Sequence, residues 1–401
     1  MKKFKKLKIY IKYFIIFIFI GILSVILFQK VKFISFLDQL FYSYRFPVDN
    51  VKNNNIVLIK INDETLSIYG KLPWDRNIWA NAINVLDKYN PAIIAIDFRF
   101  DFSSDRDKDR NLVKACKHNG KVILPFEYPI YGFLVFPELK NAVKGLGYST
   151  IYEPNKNSEI GYYLISLEKH SETNQQEEYC NFAIEIVKRY LNEDYSIDKF
   201  NGNPRIGNTK LASRDPIFGD KPVLPIYFAG DENNFNSIPF QNINYENIDL
   251  SIVKDKIVII GWTGKSKEDN FYTPLSIRSG KLTPGVIIWT NAIYTILNGK
   301  YIYGSSVIFY VFLASIIGFI FYLLIKDAKL YISLLGLIIS IIILIAINYL
   351  LFKMFLFHLN IMPIILSIIL SILCCRSSKL GCSVGGQNRF KRKNGNLKET
   401  F

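Results

Sequence analysis

Four long apolar runs constrain what this chain can fold into. Tyr13 to Phe28 is uncharged, and the run extends back to Ile9 with Lys12 as its one interruption. Tyr301–Ile325, Leu330–Phe352 and Met354–Cys375 contain no Asp, Glu, Lys or Arg. About 20 apolar residues cross the hydrocarbon core of a bilayer as a helix, which satisfies its own backbone polar groups there. A buried core helix explains one such run, but not three in near-immediate succession. The first run has the length of a signal peptide, yet Leu27-Phe28-Gln29-Lys30 offers no small-residue cleavage site. It reads as an uncleaved anchor.

The net charge of +15 suggests a nucleic-acid partner until it is located. Lys2, Lys3, Lys5, Lys6, Lys8 and Lys12 hold six positive charges before the first run. Arg376, Lys379, Arg389, Lys391, Arg392, Lys393 and Lys398 against Glu399 give the tail a net six. About +3 therefore remains for everything between, and nucleic acid is excluded as the expected partner. Basic ends flanking apolar runs follow the positive-inside rule, which places both termini in the cytoplasm. The predicted organisation is a cytoplasmic stub over 1–12, a transmembrane helix over 13–29 and an extracytoplasmic domain over 30–300. Transmembrane helices over 304–325, 330–352 and 355–375 follow, then a cytoplasmic tail over 376–401. The expected location is the inner, cytoplasmic membrane of a bacterium.

Cysteine and histidine exclude some chemistry. Cys116 and Cys180 are the two cysteines of the exposed domain, and their pairing is left open; Cys374, Cys375 and Cys382 fall at the cytoplasmic edge. Three histidines, His118, His170 and His358, are too scattered for a zinc site or a Ser-His-Asp arrangement. Asn348, His358 and Asn360 read as packing or interfacial polar groups, because the spans carry no ionisable transport path. No cofactor is expected.

Within 30–300, apolar β-branched runs alternate with amphipathic stretches, which predicts an α/β domain with a largely parallel sheet. Ile56–Ile61, Ala92–Phe98, Lys121–Pro125 and Lys256–Gly261 read as strands buried on both faces. Ile78–Tyr89, Asp105–His118, Glu177–Leu191 and Pro284–Leu297 read as helices. The stretches 129–174 and 192–240 are rich in Asn, Pro and Gly, and read as an excursion with edge strands.

Several segments together carry a resemblance. Asp38 and Arg45 follow the first span, and IVLIKINDETLSIYG at 56–70 leads to Pro73-Trp74-Asp75-Arg76. PAIIAIDFRF with Asp101 comes next, then KIVIIGWTGKSKEDNFYTPLS and PGVIIWTNAI. In this order, between one span and three, the chain resembles the second class of CHASE domains, extracellular sensory modules associated with cyclases and histidine kinases. The resemblance covers roughly 33–375. It implies a non-enzymatic membrane receptor for a small ligand or a periplasmic protein, in which a cytoplasmic effector follows the spans. Here about 26 residues follow Cys375, below the size at which a chain folds alone, so the expected effector is a separate protein; a homodimer is left open. Asn157–Leu164 lacks the family's acidic-glycine-arginine stretch, and Trp289 stands where a histidine is common.

The candidate ligand-binding residues are Asp63, Trp74, Arg76, Asp97, Asp101, Thr263 and Asp269. Asp63, Asp97 and Asp101 fall at or beyond the carboxyl ends of predicted strands, where open α/β sheets form their crevices. Their oxygens suit Mg²⁺ or Ca²⁺, and a metal-dependent hydrolase is the alternative from another class; a structural subunit of a membrane complex is a third. The same aspartates are better suited to structural roles, Asp63 to capping the turn after its strand and the others to ion pairs with Arg76 or Arg99. Trp74 suits either packing or stacking on a ligand, and Asp75 suits a helix N-cap. The glycine-bearing loop from Gly261 to Asp269 lacks the spacing of a phosphate loop.

Overall fold

The computed structural model describes residues 2–377 apart from 47–54, 128–134, 153–163, 167, 172–177, 199–202, 212–222, 245–248 and 266–268. Two compact units emerge, one of Tyr42–Tyr303 and one of Met1–Phe41 with Gly304–Phe401. The chain opens with α1 (Lys2–Lys30) and α2 (Lys32–Ser43).

The larger unit is an α/β fold on a six-stranded, all-parallel sheet. Its strands are β1 (Ile56–Ile61), β2 (Ile93–Ile96), β3 (Val122–Phe126), β4 (Gly145–Tyr148), β5 (Asn236–Pro239) and β6 (Ile257–Trp262). Their order across the sheet is β5-β1-β6-β2-β3-β4. The four central strands coincide with the apolar runs, and all of β2, β3 and β6 is buried. β4 and β5 form the two edges and come from the excursions, so the expectation of edge strands there is met.

Helices cover both faces. The chain adds α3 (Asp63–Tyr69), α4 (Arg76–Asp87), α5 (Arg106–Asn119), α6 (Phe182–Leu191), α7 (Pro274–Ser279) and α8 (Gly285–Leu297). Val57, Ile59 and Ile61 of β1 join Trp79, Ile83 and Leu86 of α4 and Leu112 and Cys116 of α5 in one core. The opposite face carries α6 and α8, whose Phe182, Ile186, Val286 and Ile293 are buried. Each such side chain contributes roughly 1.5–3 kcal/mol when taken from water. α6 begins at Phe182 rather than Glu177, because the Asn181 carboxamide caps it by accepting from the Ala183 N–H, and Glu178–Tyr179 pairs instead with His170–Ser171. Cys116 and Cys180 are both free thiols and both buried. Burial pushes the Cys116 thiol up to about 12, which keeps it inert as a nucleophile.

In the smaller unit, α9 (Val307–Ile325) and α10 (Leu330–Phe355) are, with Tyr10–Lys30 of α1, three helices long and apolar enough to cross a membrane. The fourth run, expected over 355–375, is a shorter apolar helix, α11 (Met362–Ser377). Leu356 takes a left-handed conformation and ends α10, so α11 starts later than the run of apolar residues does. Gly318 lets α11 approach closely: Ser367 Oγ donates to the Ala314 carbonyl at 2.8 Å and Ser371 Oγ to the Gly318 carbonyl at 2.9 Å. Phe14 and Phe17 of α1 meet Phe319 of α9 with centroids 5.6 Å apart. Of α10, Ser333, Leu344, Asn348 and Phe352 are buried, and most of the rest presents apolar side chains outward, as a lipid-facing helix does. His358 and Asp38 are both buried here, with Nε2 3.8 Å from Oδ2.

Candidate functional site

The carboxyl ends of β1, β6 and β2 lie side by side, because parallel pairing aligns them: Ile61 partners Trp262, and Ile260 partners Ile96. One residue beyond β2, the Asp97 N–H donates to the Ile260 carbonyl at 2.8 Å and continues the ladder. One residue beyond β6, the Thr263 N–H donates to the Ile61 carbonyl at 2.8 Å. Its hydroxyl turns back to the same carbonyl at 3.3 Å. Asp269 arrives from the following loop, where Asn270 and Phe271 pair antiparallel with Pro284 and Thr283. That pairing sets the Asp269 carbonyl 3.0 Å from the Gly285 N–H, at the first turn of α8.

Two glycines make the room. A Cβ on Gly261 would lie 2.5 Å from Val286 Cγ2 and 3.3 Å from Asp97 Cβ; one on Gly285 would lie 2.6 Å from Asp269 Oδ1. Their absence of side chain lets β6 pack closely on the start of α8, with Asp97 beside Gly261 and the Asp269 carboxylate beside Gly285.

Burial raises the Asp97 carboxyl well above the usual carboxylate range, and the neighbouring charge of Asp269 raises it further. Burial also pushes Asp269 up to about 6, against the pull of the Gly285 N–H in the other direction. Two acids so placed resist ionising together. The pair can hold a proton at the junction of the sheet and α8.

The other candidates go elsewhere. Asp63 is exposed in the first turn of α3, and the cap of that helix is Asn62, whose side chain accepts from the Thr65 N–H at 3.0 Å. Asp101 pairs with Arg99 at 3.0 Å, and Arg99 also pairs with Glu127. The aspartate cluster of the alternative, metal-dependent reading is therefore not assembled, and no group of three His, Cys, Asp or Glu suited to a metal occurs among the described residues. Arg76 Nε lies 3.4 Å from Asp109 Oδ1, Nη2 donates to the Phe102 carbonyl, and the guanidinium covers the Phe100 ring. Trp74 is buried against Tyr69, Trp79 and Phe240, with Nε1 donating to the Gly70 carbonyl at 2.8 Å. Asp75 caps α4 as expected. The stretch 157–164, apart from Leu164, and residues 266–268 of the glycine loop lie outside the described residues.

The model of the CHASE2 domain family matches residues 14–325. The chain belongs to the CHASE2 domain family. No curated protein and no solved structure matches it. CHASE2 domains are sensory rather than catalytic, and are extracellular in the membrane proteins that carry them. Trp289 of this CHASE2 chain, where a histidine was expected, is buried edge-on to Phe182 and serves packing.

One set of residues escaped the sequence reading. Asn291 Oδ1 on α8 accepts from the Ala229 N–H at 2.7 Å, its Nδ2 donates to the Gly230 carbonyl at 2.9 Å, and Thr295 Oγ1 accepts from the Tyr227 N–H at 2.9 Å. These side chains hold segment 227–230 against α8. The signal was present: Asn291 and Thr295 stand one turn apart in the apolar run GVIIWTNAIYTIL.

Proposed function

We propose that this chain is a membrane-anchored extracytoplasmic sensor in which α8 passes changes in the α/β unit toward the apolar helices. The observation that carries this reading is the CHASE2 match together with the place of α8. Its first turn meets the carboxyl edge of the sheet, its middle holds segment 227–230, and Asn298–Ser306 alone separates its end from α9. A ligand that favours one setting of α8 shifts the population of states, and only that differential affinity can signal.

We further place α1, α9, α10 and α11 across the inner membrane as four spans, with both termini cytoplasmic. The lysines at the start of α1, ahead of its apolar stretch, and the Lys326–Lys329 turn support that orientation. Alkaline phosphatase fused after residue 300 should be active in cells, and fused after residue 328 inactive; the reverse pattern would sink the orientation. Thermal-shift screening of the detergent-purified chain against small molecules and periplasmic proteins tests the sensor role, which fails if none moves the transition.

A further inference from the structure

His358 is 2% exposed and Asp38 1%, and the imidazole Nε2 lies 3.8 Å from the carboxylate Oδ2. The histidine stands in the loop 356–361, which joins α10 to α11. The acid comes from α2, near the other end of the chain. The loop backbone is tied to α9: the Tyr310 hydroxyl donates to the His358 carbonyl at 3.2 Å and accepts from the Asn360 N–H at 3.4 Å. The backbone is therefore held apart from the ring, and it is the ring that reaches α2.

Ionisable groups buried beside membrane-crossing helices are costly to keep, and where they occur they mark function. For packing alone, apolar side chains of similar size often serve as well as a buried ion pair or better. At 3.8 Å the contact is too long for a hydrogen bond, so what couples the two groups is charge. That coupling is strong when the ring is an imidazolium and weak when it is neutral. Histidine is the side chain whose ordinary titration falls between about pH 5 and 8. The neighbouring groups do not compete in that window. Asp38 is the one acid of α2. Tyr310 reaches the loop from α9, and phenols ordinarily titrate near pH 10. Lys353, at the end of α10, is exposed, and α11 carries no charge ahead of Arg376. Arg45, buried seven residues beyond Asp38 and assigned to the α/β unit, keeps its charge throughout.

We propose that His358 and Asp38 form a proton-operated catch at the outer edge of the membrane helices. It holds α2 to the α10–α11 loop when the imidazole is charged, and loosens when the imidazole is neutral. The proton stabilises the held state, so the hold is present in acidic surroundings and is lost as pH rises. The stimulus is then the pH outside the cytoplasm. The catch rests on the orientation proposed above, which puts α2 and this loop outside, and it gives the sensor a stimulus besides a bound ligand.

The test uses the full chain in lipid nanodiscs with ¹⁵N-labelled histidine. The His118→Gln/His170→Gln protein keeps His358 as its one imidazole. That resonance should pass from the charged to the neutral form between about pH 5 and 8, and Asp38→Asn should lower its midpoint by about half a pH unit or more. Hydrogen exchange in 32–43 and 356–361, corrected for the intrinsic rate, should be slower at pH 5.5 than at pH 8 by about fivefold or more. His358→Asn should abolish that difference. A ring that keeps one protonation state across the range overturns the proposal, even where a variant fails to fold. So does a midpoint indifferent to Asp38→Asn, or an exchange difference that persists in His358→Asn. Neither measurement uses a ligand, so a ligand screen that finds nothing leaves the catch standing, and a silent His358 leaves the ligand reading standing.

Discussion

Asp97 and Asp269 set the pH response of the α/β unit. Both have carboxyl groups raised by burial above their unfolded value near 3.8, Asp269 to about 6. A folded state that holds its protons more tightly than the unfolded chain is favoured at low pH, and loses that advantage as pH rises through the folded pKa. For Asp269 the loss falls between about pH 4 and pH 7. Discounted for its half-buried position, it is on the order of 2 kcal/mol. Asp269→Asn keeps the shape without the charge. The variant should melt close to the parent at pH 4.5 and increasingly above it from pH 6 to 8; parallel melting curves across that range would refute the pair. Trp74 argues at the same scale for packing rather than ligand contact. Its ring lies 5.0–5.4 Å from Phe240, Tyr69 and Trp79, and Nε1 is satisfied by Gly70. Trp74→Ala should therefore cost about 3–5 kcal/mol in denaturant unfolding.

Among the elements, α8 joins three parts of its unit, and Asn291 is its most connected polar side chain. Replacing it with alanine leaves the Ala229 N–H and the Gly230 carbonyl without their partners, each worth about 1–3 kcal/mol when buried. Asn291→Ala should destabilise by roughly 2–4 kcal/mol and speed hydrogen exchange in 227–230 before the sheet. A uniform rise in exchange would show that the segment is not held by this side chain. How far these elements were legible follows from the same physics. The central strands and α4, α5 and α8 were readable because burial on two faces, or on one helical stripe, writes itself into the order of apolar residues. β4 and β5 were readable only as edge strands somewhere in their stretches, since GLGY and NSIP carry little apolar pattern. α3 was missed; its seven residues show no periodicity, although the Asn62–Thr65 capping box was there to be read. Asp97 and Asp269 were both singled out, but not as partners. Their meeting depends on the sheet order that sets β6 beside β2 and on the pairing at Gly285, and no local pattern reports either.

At the scale of the whole molecule, the α/β unit and the apolar helices answer to different solvents. Tyr42–Tyr303 has its own sheet, helices on both faces and its own core, which is what an independently folding domain requires. The helices α1, α9 and α10 turn apolar side chains outward, and in water that surface would drive aggregation. The two should therefore be separable. A fragment of residues 42–303 should express without detergent, remain monodisperse and unfold in one cooperative transition, with the sloping pH dependence argued for Asp269 retained. Each requirement is informative, because the acid pair, the Trp74 cluster and the Asn291 contacts all lie inside the fragment. If the fragment shows no cooperative transition, the domain draws its stability from the membrane helices. If it melts cooperatively but has lost the pH slope, the setting of α8 against Asp97 and Asp269 depends on the helix that follows it.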